Sequence, residues 1–86
     1  MRGKIVFITG ASSGIGEGCA RKFASQGSDL ILNARNVAKL EELKNELEAT
    51  YGVRVFLLPF DVRDRKAATQ ALASLPETWK AIDVLV

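Results

Sequence analysis

The sequence "TGASSGIG", Thr9–Gly16, directly follows the apolar run "KIVFI" at residues 4–8 and carries glycines at positions 10, 14 and 16. The β-branched run is typical of a strand buried on both faces, as in a parallel sheet. Glycines after a strand permit a tight turn and let a bulky anion approach the main chain, and a following helix offers free N–H groups. The stretch therefore predicts a strand-to-helix turn that binds a phosphate or pyrophosphate; a tight turn without a ligand is the alternative.

A helix is predicted directly after the glycines. Apolar residues recur on one of its faces at helical spacing, namely Ile15, Cys19, Ala20, Phe23 and Ala24. Gly27 is expected to end this helix. The next segment, "DLILNAR" at 29–35, predicts a second apolar strand. Cys19 is interpreted as a small core residue, because the chain has no histidine that could activate its thiol.

The remaining segments repeat this alternation. Asn36 is expected to cap a second helix that ends at Gly52, with an apolar face of Leu40, Leu43, Leu47 and Tyr51. The run at 53–62 predicts a third strand with Pro59 near its end, since proline cannot donate to a central ladder. Asp64 is expected to cap a third helix with a small apolar face of Ala68, Ala71, Leu72 and Leu75.

A fourth strand, "IDVLV" at 82–86, completes the order β-α-β-α-β-α-β. This alternation predicts an α/β fold with a parallel sheet and right-handed crossovers. The first two helices are expected on one face and the third on the other, which gives the strand order 3-2-1-4. This is half of a doubly wound (Rossmann) fold, with residues 1–86 as a single dinucleotide-binding half-domain and a crevice between the first and fourth strands.

The glycine stretch resembles the TGxxxGxG cofactor loop of the short-chain dehydrogenase/reductase family, and the resemblance covers the whole chain. It implies that the cofactor's phosphates and adjacent ribose are contacted by Gly10, Ser12, Ser13, Gly14, Ile15 and Gly16. Helix capping is an alternative role for the two serines. The segment "LASLPETWKAIDVLV" at 72–86 also resembles the part that precedes the "NNAG" motif in NADP-dependent 3-hydroxy acid dehydrogenases, a branch that acts on serine, allo-threonine and related substrates.

The end of the second strand predicts which cofactor binds. An acidic residue about 20 positions after the glycines binds the ribose hydroxyls of NAD, but Ala34 stands there and Arg35 follows it. A guanidinium pairs well with a 2′-phosphate, so NADP is predicted over NAD, with Arg35 and Asn36 as cofactor-binding residues. A solvated arginine is the alternative. The resemblance further implies that Asp61 and Val62 contact the adenine, whereas Asp61 could instead cap a turn.

The same resemblance implies catalysis by a serine, a tyrosine and a lysine, with the tyrosine four residues before the lysine. The single tyrosine, Tyr51, is followed four positions later by Val55 and is interpreted as a core residue. We therefore expect an N-terminal part of such an enzyme, truncated before its catalytic half: an NADP(H)-binding unit that is inactive alone. The alternative is an excised or engineered folding unit that self-associates without measurable cofactor binding.

Composition bears on three further points: nucleic-acid binding, cellular location and metal binding. A net charge of +2, with scattered basic residues, argues against nucleic acid as a partner. One cysteine permits no internal disulfide, and no signal peptide or membrane-spanning run is visible, so a cytoplasmic location is expected. The acidic residues at 41–48 are interpreted as a solvated helix face rather than a metal site, and Phe60 and Trp79 as packing residues.

An apolar fourth strand without a further neighbour would leave an exposed sheet edge, and such edges favour association. We therefore expect a homodimer formed through the fourth strand or an exposed face of the sheet.

Overall fold

The computed structural model describes residues 3–61 and 63–86. Val62, a predicted adenine contact, lies outside the described residues. The elements are β1 Ile5–Ile8, α1 Gly14–Ser25, β2 Asp29–Asn33, α2 Val37–Tyr51, β3 Val55–Leu58, α3 Arg65–Ala73, a short 3-10 helix Glu77–Trp79, and β4 Val84–Leu85. The predicted order of strands and helices is confirmed, although each of the four strands is shorter than the run that predicted it.

The four strands are all parallel and lie in the order β3-β2-β1-β4. Val6 of β1 lies opposite Leu30 of β2 on one side and Val84 of β4 on the other. This confirms the predicted strand order 3-2-1-4. None of the helices in the described residues has the length and apolar character needed to cross a membrane.

Alternate side chains of β1 face two separate cores. Val6 and Ile8 pack beneath α1 and α2, together with Ala20, Ala24, Leu30, Leu32, Leu40, Leu43 and Leu47. Ile5 and Phe7 point to the other face, where they pack with Ile31, Leu58, Leu75 and Trp79. The first two helices therefore share one face, and the segment from α3 to the 3-10 helix covers the other, as the crossover argument predicts.

Local signals set the ends of the helices. The side chains of Asn36 and Asp64 accept hydrogen bonds, at 3.2 and 3.1 Å, from backbone N–H groups in the first turns of α2 and α3. Gly27 and Gly52 follow α1 and α2 with φ of 85° and 70°, which glycine adopts without strain. These predicted caps and stops are confirmed.

Three apolar residues predicted to be packed are exposed instead. Ile15 is 85% exposed. The buried row of α1 is Gly16, Ala20 and Ala24, and Ile15 lies one position before this row. Tyr51 is 40% exposed, because the buried row of α2 ends at Leu47. Leu72 is 42% exposed, since α3 contains no fully buried residue. Cys19 is half-buried against the core under α1 and α2.

Candidate functional site

The turn between β1 and α1 is held by its own backbone. Gly10 has φ of 61°, in the left-handed region that glycine occupies without strain. The N–H of Ala11 donates to the carbonyl oxygen of Asn33 at 2.8 Å, which ties the turn to the end of β2. The turn is therefore fixed against the carboxyl edge of the sheet.

The next two glycines differ in what surrounds them. A Cβ on Gly16 would overlap the carbonyl of Gly10 and lie 3.0 Å from the Cα of Ala11, so only glycine lets α1 start this close to the turn. A Cβ on Gly14 would meet no atom of the described residues within 4 Å. The fold therefore needs glycine at position 16, whereas the space beside Gly14 is open to a ligand.

The two serines of the turn have different roles. Ser13 is the N-cap of α1: its Oγ accepts from the N–H of Gly16 at 3.2 Å and donates to the carbonyl oxygen of Gly10 at 2.8 Å. Within residues 3–61 and 63–86, the hydroxyl of Ser12 has no hydrogen-bond partner, and Ser12 is half-buried. The capping alternative thus describes Ser13 and leaves the Ser12 hydroxyl available to a ligand.

A cleft of about 230 Å³ opens where the carboxyl ends of β1, β2 and β3 meet. It is lined by Gly10, Ser12, Ser13, Asn33, Ala34, Arg35, Phe60, Asp61 and Arg63. Of the residues predicted from the sequence to bind a cofactor, the lining includes Gly10, Ser12, Ser13, Arg35 and Asp61. The other described ones, which are Gly14, Ile15, Gly16 and Asn36, lie outside it.

Arg35 is the less tightly paired of the two cations at this cleft. Its side chain is 72% exposed, and its Nη1 lies 3.9 Å from Oδ2 of Asp61, a long contact that leaves the guanidinium accessible. Ala34, at the position where NAD-binding folds of this type carry a ribose-binding acid, is buried and carries no charge. The wall formed after β2 is therefore cationic.

Arg63 was missed by the sequence reasoning. Its Nε donates to Oδ1 of Asp61 at 3.2 Å, its Nη2 donates to Oδ2 at 3.0 Å, and its backbone N–H donates to Oδ1 at 3.0 Å. These side-chain and backbone hydrogen bonds, with smaller Coulombic contributions from Arg63 and Arg35, lower the pKa of Asp61 to about 2. The same hydrogen bond raises the pKa of Arg63. The sequence signal for this pair is the run "DVRD" at 61–64, in which an arginine follows Asp61 by two positions.

Asn33 was also missed, and it supports the cleft from below. It is buried, and its Nδ2 donates to the carbonyl oxygens of Leu58 and Phe60, both at 3.0 Å. These bonds tie β2 to the segment after β3, just before Asp61. The sequence signal for Asn33 is a polar side chain at the end of the apolar run of β2. A buried amide needs hydrogen-bond partners, so such a residue is expected to contact a neighbouring segment.

The two aromatic residues interpreted as packing residues lie in the second core. Trp79 is buried, and its ring centroid lies 5.6 Å from that of Phe56. Phe60 is half-buried against the same core, but it also lines the cleft. Packing thus accounts for Trp79 and for only part of the environment of Phe60.

The acidic residues of α2 lie away from the cleft. Glu41 and Glu42 are exposed, and Glu46 accepts from Arg21 of α1 at 2.6 Å. Arg21 also donates to Glu17 at 2.8 Å, so this network joins the two helices. In the described ranges, no three His, Cys, Asp or Glu side chains are grouped as a metal site would require.

The whole described fold and its glycine turn agree with one known family. Residues 4–86 match the short chain dehydrogenase family. The chain belongs to this family. It is 44% identical over 82 residues to the NADP-dependent 3-hydroxy acid dehydrogenase YdfG of Escherichia coli (strain K12), covering 95% of this chain and 32% of that protein. The chain thus spans about a third of the length of this relative.

Solved structures of dehydrogenases share the fold. An alcohol dehydrogenase from Thermococcus sibiricus, complexed with 5-hydroxy-NADP, superposes with a TM-score of 0.89 at 39% identity, over 95% of this chain and 35% of that one. The serine dehydrogenase of Escherichia coli gives a TM-score of 0.85 at 43% identity, over 94% of this chain and 36% of that one. The predicted Rossmann-type fold is confirmed.

Proposed function

We propose that this chain is the NADP(H)-binding part of an oxidoreductase that transfers hydride between NADP and a small hydroxy or keto substrate, with 3-hydroxy acids as the leading substrate class. One observation carries the cofactor assignment: the cleft at the strand ends presents the open guanidinium of Arg35, while the uncharged Ala34 stands where an NAD-binding acid would. The names of relatives that use NADP support it.

The cleft and the adjoining start of α1 each suit one part of the cofactor. The backbone N–H groups at the start of α1 have no intrahelical acceptors, so the pyrophosphate would lie beside Gly14 and Ile15. Ser12 would donate to a phosphate or ribose oxygen, and Arg35 would pair with the 2′-phosphate. Asp61 would face the adenine. The bound nicotinamide would supply or accept the hydride.

The proposal assigns binding, without turnover, to the chain alone. Tyr51 ends α2, and Val55 stands where the family's lysine would follow it. Tyr51 therefore cannot act as the family's proton donor. The competing proposal is a folding unit that self-associates without measurable cofactor binding.

Calorimetric titration of the folded chain with NADP and NAD tests the cofactor proposal. We expect Arg35→Asp to weaken NADP binding by about 1.5–3 kcal/mol through loss of a charge-assisted contact, and to favour NAD relatively. Arg65→Asp, at an exposed arginine that begins α3, is the matched control and should retain the NADP preference. An unchanged NADP/NAD ratio in Arg35→Asp would refute the role of Arg35. No binding of either cofactor to the folded wild type would favour the competing proposal.

We also propose that two copies of the chain associate through the side of the sheet that carries β4. Leu85 is 75% exposed at the edge strand, next to an apolar groove lined by Phe7, Thr9, Phe60, Ala68, Leu72, Ile82 and Leu85. Burial of this groove would remove apolar surface from water. Light scattering that shows a folded monomer at high micromolar concentration would contradict the dimer.

A further inference from the structure

We propose that Arg63 is a positioning residue for cofactor selectivity: it holds the carboxylate of Asp61, so that Arg35 stays free for the 2′-phosphate of NADP. The inference rests on the proposed function, because it concerns the same cleft. Arg63 would act through the side chain of Asp61 and would not itself touch the cofactor.

The charges that line the cleft are unequally paired. Asp61 is its single carboxylate among the described lining residues, and Arg35 and Arg63 are its two cations. Asp61 lies within ion-pair distance of both, but unequally: Nη2 of Arg63 lies 3.0 Å from Oδ2, whereas Nη1 of Arg35 lies 3.9 Å from the same oxygen. Arg63 is therefore the preferred partner of this carboxylate.

The geometry of the Arg63 contact explains why it does not act as a second phosphate ligand. Both Nε and Nη2 of Arg63 donate to Asp61, and the backbone N–H of Arg63 donates to the same carboxylate. A two-pronged guanidinium–carboxylate contact fixes both groups in one plane. Both donors of the Arg63 fork are thus already engaged, whereas the contact of the Arg35 guanidinium among the described residues is the long one to Asp61.

Removing the charge of Arg63 would change what Arg35 does. Asp61 would keep one neighbouring cation, Arg35, and the two would pair more closely. A 2′-phosphate, which carries a charge of about −1.5 to −2, would then have to displace Asp61 and would be repelled by it. NAD has a neutral hydroxyl at this place, so its binding would change little.

The experiment compares Arg63→Gln with Arg65→Gln, a matched control at an exposed arginine two residues further on, since the ion pairs of Asp61 within the described ranges are with Arg35 and Arg63. Dissociation constants for NADP and NAD are measured by calorimetry on chains whose folding is checked by circular dichroism. We expect Arg63→Gln to lower the NADP/NAD preference by about three- to fivefold at low salt, the size expected of a partly exposed charge pair. The effect should fade at ~1 M salt, where the screening length is about 3 Å.

The double variant Asp61→Asn/Arg63→Gln separates positioning from direct contact. Without the carboxylate, Arg35 has no competitor, so the NADP preference should return to at least the wild-type value. Because the adenine is common to NADP and NAD, a changed contact between Asp61 and the adenine cancels in the ratio.

The remaining outcomes would contradict either the role of Arg63 or the proposed function. An unchanged ratio in Arg63→Gln contradicts the role of Arg63. A lowered ratio that the double variant does not restore shows that Arg63 contacts the phosphate itself, and this also overturns the positioning role. If the folded wild type does not prefer NADP, the proposed function fails before Arg63 is considered.

Discussion

Gly16 shows how a single missing methyl group determines the start of α1. A Cβ added at this position would overlap backbone atoms of Gly10, and these backbone atoms cannot rotate away as a side chain can. We expect Gly16→Ala to destabilise the chain by about 1–3 kcal/mol, the usual cost of overpacking. Gly18→Ala is the control, because Gly18 lies in the same helix with nothing within 4 Å. The control should be more stable than wild type by ~0.5–1 kcal/mol. Equal denaturation midpoints for the two variants would contradict this account.

Gly14 is the opposite case, since the fold leaves space for a side chain there. We expect Gly14→Ala to fold with wild-type stability but to bind both NADP and NAD more weakly, because the pyrophosphate beside this position is common to both. Calorimetric titration and urea denaturation of the same sample would measure the two effects separately. Unchanged affinity for both cofactors would mean that no anion approaches the backbone at Gly14.

Asp61 makes stability depend on pH in one direction. Hydrogen bonds from Arg63 lower its pKa to about 2 in the folded chain, against about 3.9 in an unfolded one. The ionised form therefore stabilises the fold above pH ~4, and this contribution is lost as the pH falls towards about 2. Wild type should exceed Asp61→Asn in urea stability at neutral pH, and the gap should close near pH 2. A gap that is constant over that range would contradict the prediction.

At the scale of helices and strands, local chemistry predicts much of the fold. Asn36, Asp64 and Gly52 mark helix ends by capping or by a left-handed backbone, and these signals act within one turn. The errors at Ile15 and Tyr51 have a different origin. Helical periodicity indicates an apolar stripe, but the partner elements determine which of its residues are covered: the buried row of α1 is offset by one position from Ile15, and that of α2 ends at Leu47, before Tyr51.

The two omissions in the cleft have different origins. Asn33 donates to the carbonyl oxygens of Leu58 and Phe60, 25 and 27 positions further along the chain, and no spacing rule for strands or helices contains such contacts. The contact between Arg63 and Asp61 is local, and its backbone part is the turn cap named as the alternative role of Asp61. The glycine turn and Arg35 were predictable, since both directly follow strands whose carboxyl ends share one edge.

The helices α2 and α3 should differ in local stability. α2 buries Leu40, Leu43 and Leu47, whereas α3 has no fully buried residue. Because opening a helix exposes what it buries, the amides of α3 should exchange with solvent roughly tenfold faster or more than those of α2. Hydrogen exchange on a dilute sample measures this, with α2 as the internal control. Equal protection of α2 and α3 would contradict the prediction.

For the molecule as a whole, the two faces of the sheet are unequally covered. The face under α1 and α2 holds the larger core, including Leu30, Leu32 and Leu47. The opposite face is covered by α3 and the 3-10 helix, and it retains the apolar groove beside Leu72 and Leu85. A chain of 86 residues buries only about 60–65% of its unfolded surface, so apolar area left open on this face limits its stability.

Self-association of two copies would cover that open face. A charged residue introduced on this face tests whether the copies associate through it. We expect Leu85→Lys to weaken dimer formation, because a lysine on an edge strand must lose its hydration when a second copy pairs there. The residue is already 75% exposed, so its fold should be retained. Ile15→Lys is the control, at a similarly exposed aliphatic residue on α1. Sedimentation equilibrium should show weaker association for Leu85→Lys and wild-type association for Ile15→Lys. If both variants associate as wild type does, the contact between copies does not involve β4, and the groove beside it stays open to solvent.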